Sequence, residues 1–380
     1  MLPLTPVSLV RCETYESGEV EQAARRAVDL VGGISRFVKA GDRVLLKPNL
    51  LSARPPERRI TTDPAVVRAV ARLVQEAGGK PVIGDSPGLE SFKRVAAKTG
   101  IAGVAEELGI DLVELSNSTP VATPEGSLFK KLEIAAQALD ADLVINLPKL
   151  KTHSQMLLTL GVKNLFGTIV AQRKSEWHYM TGLDRDTFAS LHLDIYLTVK
   201  PALTVLDGVW AMEGYGPSNG RPRHLKLIAA ATDAVALDTG ICHLLGAPLH
   251  AFPVYRVART RGIGETDIHL ISFRGESPGA FDVKGFEIPA LDSLAVLPNM
   301  FGWFIKRFLV SRPLHKRDSC VGCGQCTLIC PAKAIDQEEK RITFDYDRCI
   351  RCYCCQEICP ENAIHLKKGL IVRVLNRFNR

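Results

Sequence analysis

No stretch of this 380-residue sequence approaches the roughly 18 uninterrupted apolar residues that a membrane-spanning helix needs. The opening residues, MLPLTPVSLVRCETYE, carry no basic segment and no small-residue cleavage site after an apolar run, so the expectation is a cytoplasmic protein. Tryptophan is scarce, at three residues. The first 300 residues have no net charge, with 33 basic and 33 acidic side chains. A nucleic-acid binder would need a larger basic excess and an aromatic stacking platform, and neither is visible. No GxGxxG fingerprint and no other nicotinamide or flavin motif is present, which argues against a dinucleotide site.

What is present is concentrated near the C-terminus. Residues 301–380 hold 15 basic and 8 acidic side chains, which accounts for the whole net charge of +7. Nine of the eleven cysteines follow position 319. Such clustering in a chain expected to be cytoplasmic argues for metal rather than disulfides. Cys320, Cys323, Cys326 and Cys330 precede Pro331 in a CxxCxxCxxxCP run, and Cys349, Cys352, Cys355 and Cys359 repeat it before Pro360. The register extends beyond the cysteines, because Asp318, Ala334 and Ile335 match Asp347, Ala363 and Ile364. This is an internal duplication. Zinc favours paired CxxC knuckles and does not account for two four-cysteine runs that each end in proline.

Residues 316–366 resemble the two-cluster bacterial ferredoxins. That resemblance implies two 4Fe–4S clusters with crossed ligands. One would be held by Cys320, Cys323, Cys326 and Cys359, the other by Cys349, Cys352, Cys355 and Cys330. The two loops differ. Gly322 and Gly324 in the first correspond to Arg351 and Tyr353 in the second, which also carries an additional Cys354. A cation beside the second cluster would raise its potential. The basic excess is unlike free ferredoxins of this kind. It suits docking to an acidic electron-donor or acceptor protein such as a soluble ferredoxin, or else a surface covered by the larger domain.

Residues 1–295 alternate short β-branched runs with amphipathic stretches, which predicts an α/β domain with a mainly parallel sheet. Strands are expected at 44–46, 81–84, 112–115, 143–147, 203–206 and 225–229, and helices at 20–31, 64–76, 187–199 and 233–245. Asp63 reads as the N-cap and Pro64 as the first position of the second helix. In parallel sheets, ligands bind beyond the carboxyl ends of the strands. Lys47-Pro48-Asn49, Gly84-Asp85-Ser86-Pro87-Gly88, Pro148-Lys149-Leu150-Lys151-Thr152-His153 and Asp207-Gly208 all follow predicted strands, and Gly161-Val162-Lys163-Asn164 lies between the last two.

The motifs LKPN, TTDP, GDSPG, NLPKLKTH, GVKNLFG, and LDG followed by EGYGP, spread over residues 40–245, resemble the prokaryotic domain of unknown function three-six-two. That family frequently precedes a ferredoxin module, and the resemblance implies an iron–sulfur protein without a known reaction. The residues supply the chemistry. Lys47, Lys149, Lys151 and Lys163, with Asn49 and Asn164, are candidates for binding an anionic small-molecule substrate. Asp85 and His153 are candidates for the proton transfers that reduction requires. The glycine-rich 213–220 segment is expected as a mobile loop over that cleft, or as a plain surface loop. Residues 296–317 form a basic, aromatic connector and 367–380 a basic tail. These pack the ferredoxin module (318–366) onto the larger domain or lie on an anionic membrane surface. The leading functional expectation is an oxidoreductase fed by a low-potential donor. Its alternatives are a non-catalytic electron carrier or assembly factor, and a non-redox enzyme with structural or sensing clusters.

Overall fold

The computed structural model describes residues 3–289, 291 and 310–367. Most of the connector and nearly all of the basic tail therefore lie outside the described residues. The chain divides into two compact units, one of residues 1–174 and 185–289, the other of residues 175–184 and 290–380.

The large unit holds strands β1 (Thr5–Arg11), β2 (Arg43–Pro48), β3 (Lys80–Asp85), β4 (Asp111–Glu114), β5 (Ser118–Ala122) and β6 (Lys131–Ala135). It continues with β7 (Leu143–Leu147), β8 (Lys149–His153), β9 (Leu157–Thr159), β10 (Leu203–Glu213), β11 (Arg221–Ala231) and β12 (Ile271–Gly275). The main sheet runs β12-β1-β11-β10-β7-β2-β3-β4. Along this path only β11 is antiparallel to its neighbours, β1 and β10, and off it β9 is antiparallel to β8, so the sheet is mainly parallel. Strands β2 and β3 are buried on both faces after their first residue, as parallel strands covered by helices must be.

The helix Pro64–Glu76 begins where its chemistry dictates: the Asp63 carboxylate accepts the Ala65 N–H at 3.0 Å, and Pro64 occupies the first position. Val66, Val67, Val70 and Val74 on its inner face join the core beside Val44, Leu46 and Ile83 of the sheet. The helices Ser17–Asp29, Arg185–Val199 and Ala234–Leu244 fall where the pattern placed them.

One expected loop is a strand. Residues 149–153 continue from β7 after Pro148 alone, and β8 pairs in parallel with β10, Lys149 opposite Asp207. Proline has no N–H to give to a ladder, but its carbonyl accepts the Asp207 N–H at 2.9 Å, so the chain runs on along β10 with an irregular register. The 213–220 segment is the β10–β11 hairpin connection and is tied down. Thr152 Oγ1 donates to Gly214 O at 3.0 Å, and Gly216 lies so close that a Cβ there would meet Thr152 O at 2.1 Å.

The small unit contains β13 (Arg312–His315), β14 (Ile335–Glu338), β15 (Arg341–Phe344) and β16 (Ile364–Lys367), paired β13 with β16 and β14 with β15. Two short helices, Gln325–Ile329 and Cys354–Ile358, sit at equivalent places in the two halves. The duplication also shows in the hydrogen bonds: Ala334 N–H donates to Cys330 Sγ at 3.3 Å, and Ala363 N–H to Cys359 Sγ at 3.1 Å.

Candidate active site and cluster centres

The carboxyl ends of β2, β3 and β7 lie side by side, and most of the sequence-derived candidates meet there. Lys47 pairs with Asp85 at 2.9 Å, with the two side chains 1% and 5% exposed. Lys47 Nζ also donates to Pro48 O at 2.7 Å, while Asp85 accepts from Leu50 N–H and Ser86 N–H at 2.8 Å each. Gly167 covers the pair. A Cβ at that position would stand 2.3 Å from Asp85 Oδ1 and 2.4 Å from Lys47 Nζ, so only glycine fits.

A second amine, half-buried, lies near enough to feel the charges of this pair. Lys174, in the first turn of the helix Arg173–Thr181, donates to Ser86 O at 2.6 Å and to Ile169 O. Burial lowers its pKa to about 7; Asp85 opposes that shift and Lys47 adds to it. Burial likewise lowers the Lys47 pKa, against the pull of Asp85.

An amide chain leads away from the pair. Lys151 Nζ donates to Asn49 Oδ1 at 2.8 Å, Asn49 Nδ2 to Asn164 Oδ1 at 2.9 Å, and Asn164 Nδ2 to Asn146 Oδ1 at 2.8 Å and Lys47 O at 3.1 Å. Asn164 lies in the short helix Gly161–Asn164, which Asp238 fixes by accepting the Gly161 and Val162 N–H groups at 2.7 and 3.0 Å. The Asp238 pKa is raised to about 8, chiefly by burial.

Lys149 belongs to a neighbouring group. Its ammonium is 2.8 Å from Asp207 and 2.7 Å from the Tyr15 hydroxyl, which donates to Asp207 at 2.7 Å; Lys149 and Asp207 are both 0% exposed. Asp63 lies beside this pair, and burial together with the Asp207 charge raises its pKa to about 6. His153 stands apart. Its Nδ1 accepts Gln155 N–H at 3.1 Å and Met156 N–H at 3.2 Å, which holds the turn between β8 and β9 and places its ring proton on Nε2. Lys163 reaches over the rings of Phe166 and Phe188, 5.7 and 5.8 Å from their centroids.

Sequence reasoning missed Asn146, Lys174 and Tyr15. Asn146 carried a signal, being a polar residue inside the apolar run LVINL. Lys174 carried none, since Arg-Lys-Ser-Glu reads as a solvated helix face.

In the small unit the eight cysteines rim two hollows. Cys320, Cys323, Cys326 and Cys359 line one of about 350 Å³. Cys330, Cys349, Cys352 and Cys355 line the other, of about 340 Å³, together with Cys354, Arg351 and Tyr353. Among the described residues no three donors close around a single metal ion. Four thiols set about a hollow, three from one run and one from the other, fit a cubane whose corners are ligated separately. Cys12 and Cys242 are fully buried within the large unit.

These features define the class: an α/β protein carrying an iron–sulfur electron-transfer module of the 4Fe–4S dicluster type. The model of the 4Fe-4S dicluster domain matches residues 312–360. The family described as domain of unknown function DUF362 matches residues 44–243, more than half of the chain, and the protein belongs to that family. The thylakoid-associated protein sll1697 of Synechocystis is 40% identical over 315 residues, covering 81% of this chain and 97% of that one. Among solved structures, the lactate racemase apoprotein from Thermoanaerobacterium thermosaccharolyticum is 14% identical with a TM-score of 0.40, the match covering 64% of this chain and 57% of that one. A structural-genomics protein from Thermotoga maritima is 13% identical with a TM-score of 0.37, covering 57% and 56%. Among the described residues no helix is long and apolar enough to cross a membrane.

Proposed function

We propose that the protein is an iron–sulfur oxidoreductase that reduces an anionic small molecule held at the Lys47–Asp85–Lys174 group. One observation carries this reading: adjacent parallel strands end in the buried Lys47–Asp85 ion pair, and the half-buried Lys174, bonded to Ser86 O, lies near enough to feel both charges. Burying an ion costs several kcal/mol even with a partner, and apolar side chains would serve the fold as well. Buried titratable groups with shifted pKa values in this position are a recurrent mark of function. Asp85 balances one ammonium, and a carboxylate or phosphate of the substrate balances the other. Lys174, with a pKa of about 7, holds and releases a proton near neutrality and is the better placed proton donor; His153 already has Nδ1 engaged. Asn49, Asn164 and Lys151 orient the ligand through the amide chain.

Cys320, Cys323, Cys326 and Cys359 would hold one cluster, and Cys330, Cys349, Cys352 and Cys355 the other. When bound, the two clusters supply electrons one at a time, drawn from a low-potential donor protein such as an acidic ferredoxin. The chain works in the cytoplasm on this reading. The name of its Synechocystis relative, with the five Lys or Arg and no acid of residues 301–317, favours a membrane-adjacent setting there.

The second reading is a non-catalytic carrier whose large unit only recognises a partner. It is favoured by the internal neutralisation of Lys149 by Asp207. Equilibrium binding of a panel of carboxylate and phosphate metabolites separates the two. The oxidoreductase reading expects a ligand that binds the wild type and not the charge-balanced double variant Lys47→Met with Asp85→Asn. A panel that binds neither form favours the carrier.

A further inference from the structure

The two cysteine loops share a backbone but not a composition. Gly322 and Gly324 in the first have φ of 75° and 72°, the left-handed region that glycine enters freely. The second loop keeps the same conformation with Arg351 at 59° and Tyr353 at 64°. Side chains rarely adopt this region, and such strain concentrates where the side chain has a task. Tyr353 is anchored, its hydroxyl donating to Ser311 O at 2.9 Å. Arg351 is 4% exposed and lines the second hollow beside Cys330, Cys349, Cys352 and Cys355. Its guanidinium lies over the Tyr346 ring at 5.0 Å, while its Nε and Nη1 are buried without a hydrogen-bond acceptor among the described residues.

A guanidinium stays charged at any physiological pH. Buried N–H donors on a cation are costly unless something accepts them. Cluster sulfides and cysteine thiolates are the acceptors this hollow would bring. We infer that Arg351 is a positioning residue that donates to the sulfur shell of the second cluster and sets its reduction potential above that of the first. Adding one electron makes a thiolate-ligated cubane more negative. A fixed cation with donors aimed at it therefore favours the reduced form, opposing the effect of burial, which disfavours extra charge. In the first loop Gly322 offers no side-chain charge and no side-chain donor. The electron from a one-electron donor then settles on the cluster held by Cys330, Cys349, Cys352 and Cys355. The inference rests on that ligand assignment.

The test is an anaerobic redox titration of the full chain with dithionite and mediators, followed by electron paramagnetic resonance. The wild type should show two separated midpoints. Arg351→Gln should lower the higher midpoint and leave the lower one in place, and Arg351→Lys should restore much of the separation. An unchanged separation in fully loaded Arg351→Gln overturns the inference, as does an equal shift of both midpoints, which a general loss of positive charge would produce. Should Arg351→Gln fail to load, Arg351→Gly, which installs the residue of the first loop, carries the same comparison. A wild-type chain that loads only one cluster refutes the ligand assignment instead.

Discussion

The Lys47 ammonium sits 2.9 Å from the Asp85 carboxylate with Gly167 pressed against both, so two adjacent parallel strands end in a buried ion pair. Lys174 brings a second amine near that pair, held by the Ser86 and Ile169 carbonyls.

The neighbouring Lys149–Asp207 pair balances its own charge and is held by Tyr15 and the Asp63 N–H, so it should behave as structure. Lys149→Met leaves the Asp207 carboxylate in a fully buried place without its cation, and should cost about 3–5 kcal/mol in urea unfolding. Replacing both partners, Lys149→Met with Asp207→Leu, should recover part of that loss, the Tyr15 hydroxyl and the Asp63 N–H having lost their acceptor. A single variant as stable as the wild type would show that water reaches the pair.

Gly167→Ala places a methyl 2.3 Å from Asp85 Oδ1 and 2.4 Å from Lys47 Nζ. Overpacking of this kind costs about 1–3 kcal/mol, and here it also forces the ion pair apart. The expected result is a folded, cluster-loaded protein with a lowered melting temperature and weakened ligand binding. Wild-type binding in this variant would place the ligand elsewhere.

Stability should respond to alkali through Lys174. Its pKa falls from 10.5 in the unfolded chain to about 7 in the fold. Between these values the unfolded state holds the extra proton, so stability rises as pH rises from about 7 towards 10.5; below about 7 the cost of the buried ammonium is fully present. Lys174→Met should remove that slope. Parallel melting curves for the two proteins over this range would contradict the burial of the amine.

Ligand crossing predicts unequal effects for the cysteines. Cys359→Ala should disturb the cluster held by Cys320, Cys323 and Cys326, and Cys330→Ala the one held by Cys349, Cys352 and Cys355. Cys354→Ser should leave the iron content unchanged. Iron analysis with electron paramagnetic resonance checks all three, and loss of iron in Cys354→Ser would move a ligand position.

Much of this was legible. The helix Pro64–Glu76 is written by Asp63, Pro64 and a valine-rich face, and β7 by an apolar run between polar flanks. The two cysteine runs show in their spacing, and their crossing is what the resemblance to two-cluster ferredoxins implies. The β8 strand was hidden because its lysines and histidine read as a loop. The burial of its lysines is made tolerable by Tyr15, Asp207, Asn49 and Ile60, which lie far away in sequence. Lys174 was hidden for the same reason, its acceptors being Ser86 and Ile169 carbonyls. Local pattern reports which residues prefer water, and a buried polar network overrides that preference with partners the pattern does not contain.

The most direct test reduces the clusters anaerobically and follows their paramagnetic signal as carboxylate and phosphate metabolites are added. The account predicts that at least one metabolite reoxidises the clusters of the wild type and fails to do so in the Lys47→Met, Asp85→Asn double variant with both clusters loaded. Reoxidation at the wild-type rate in that double variant, or none by any member of a broad panel, would contradict it.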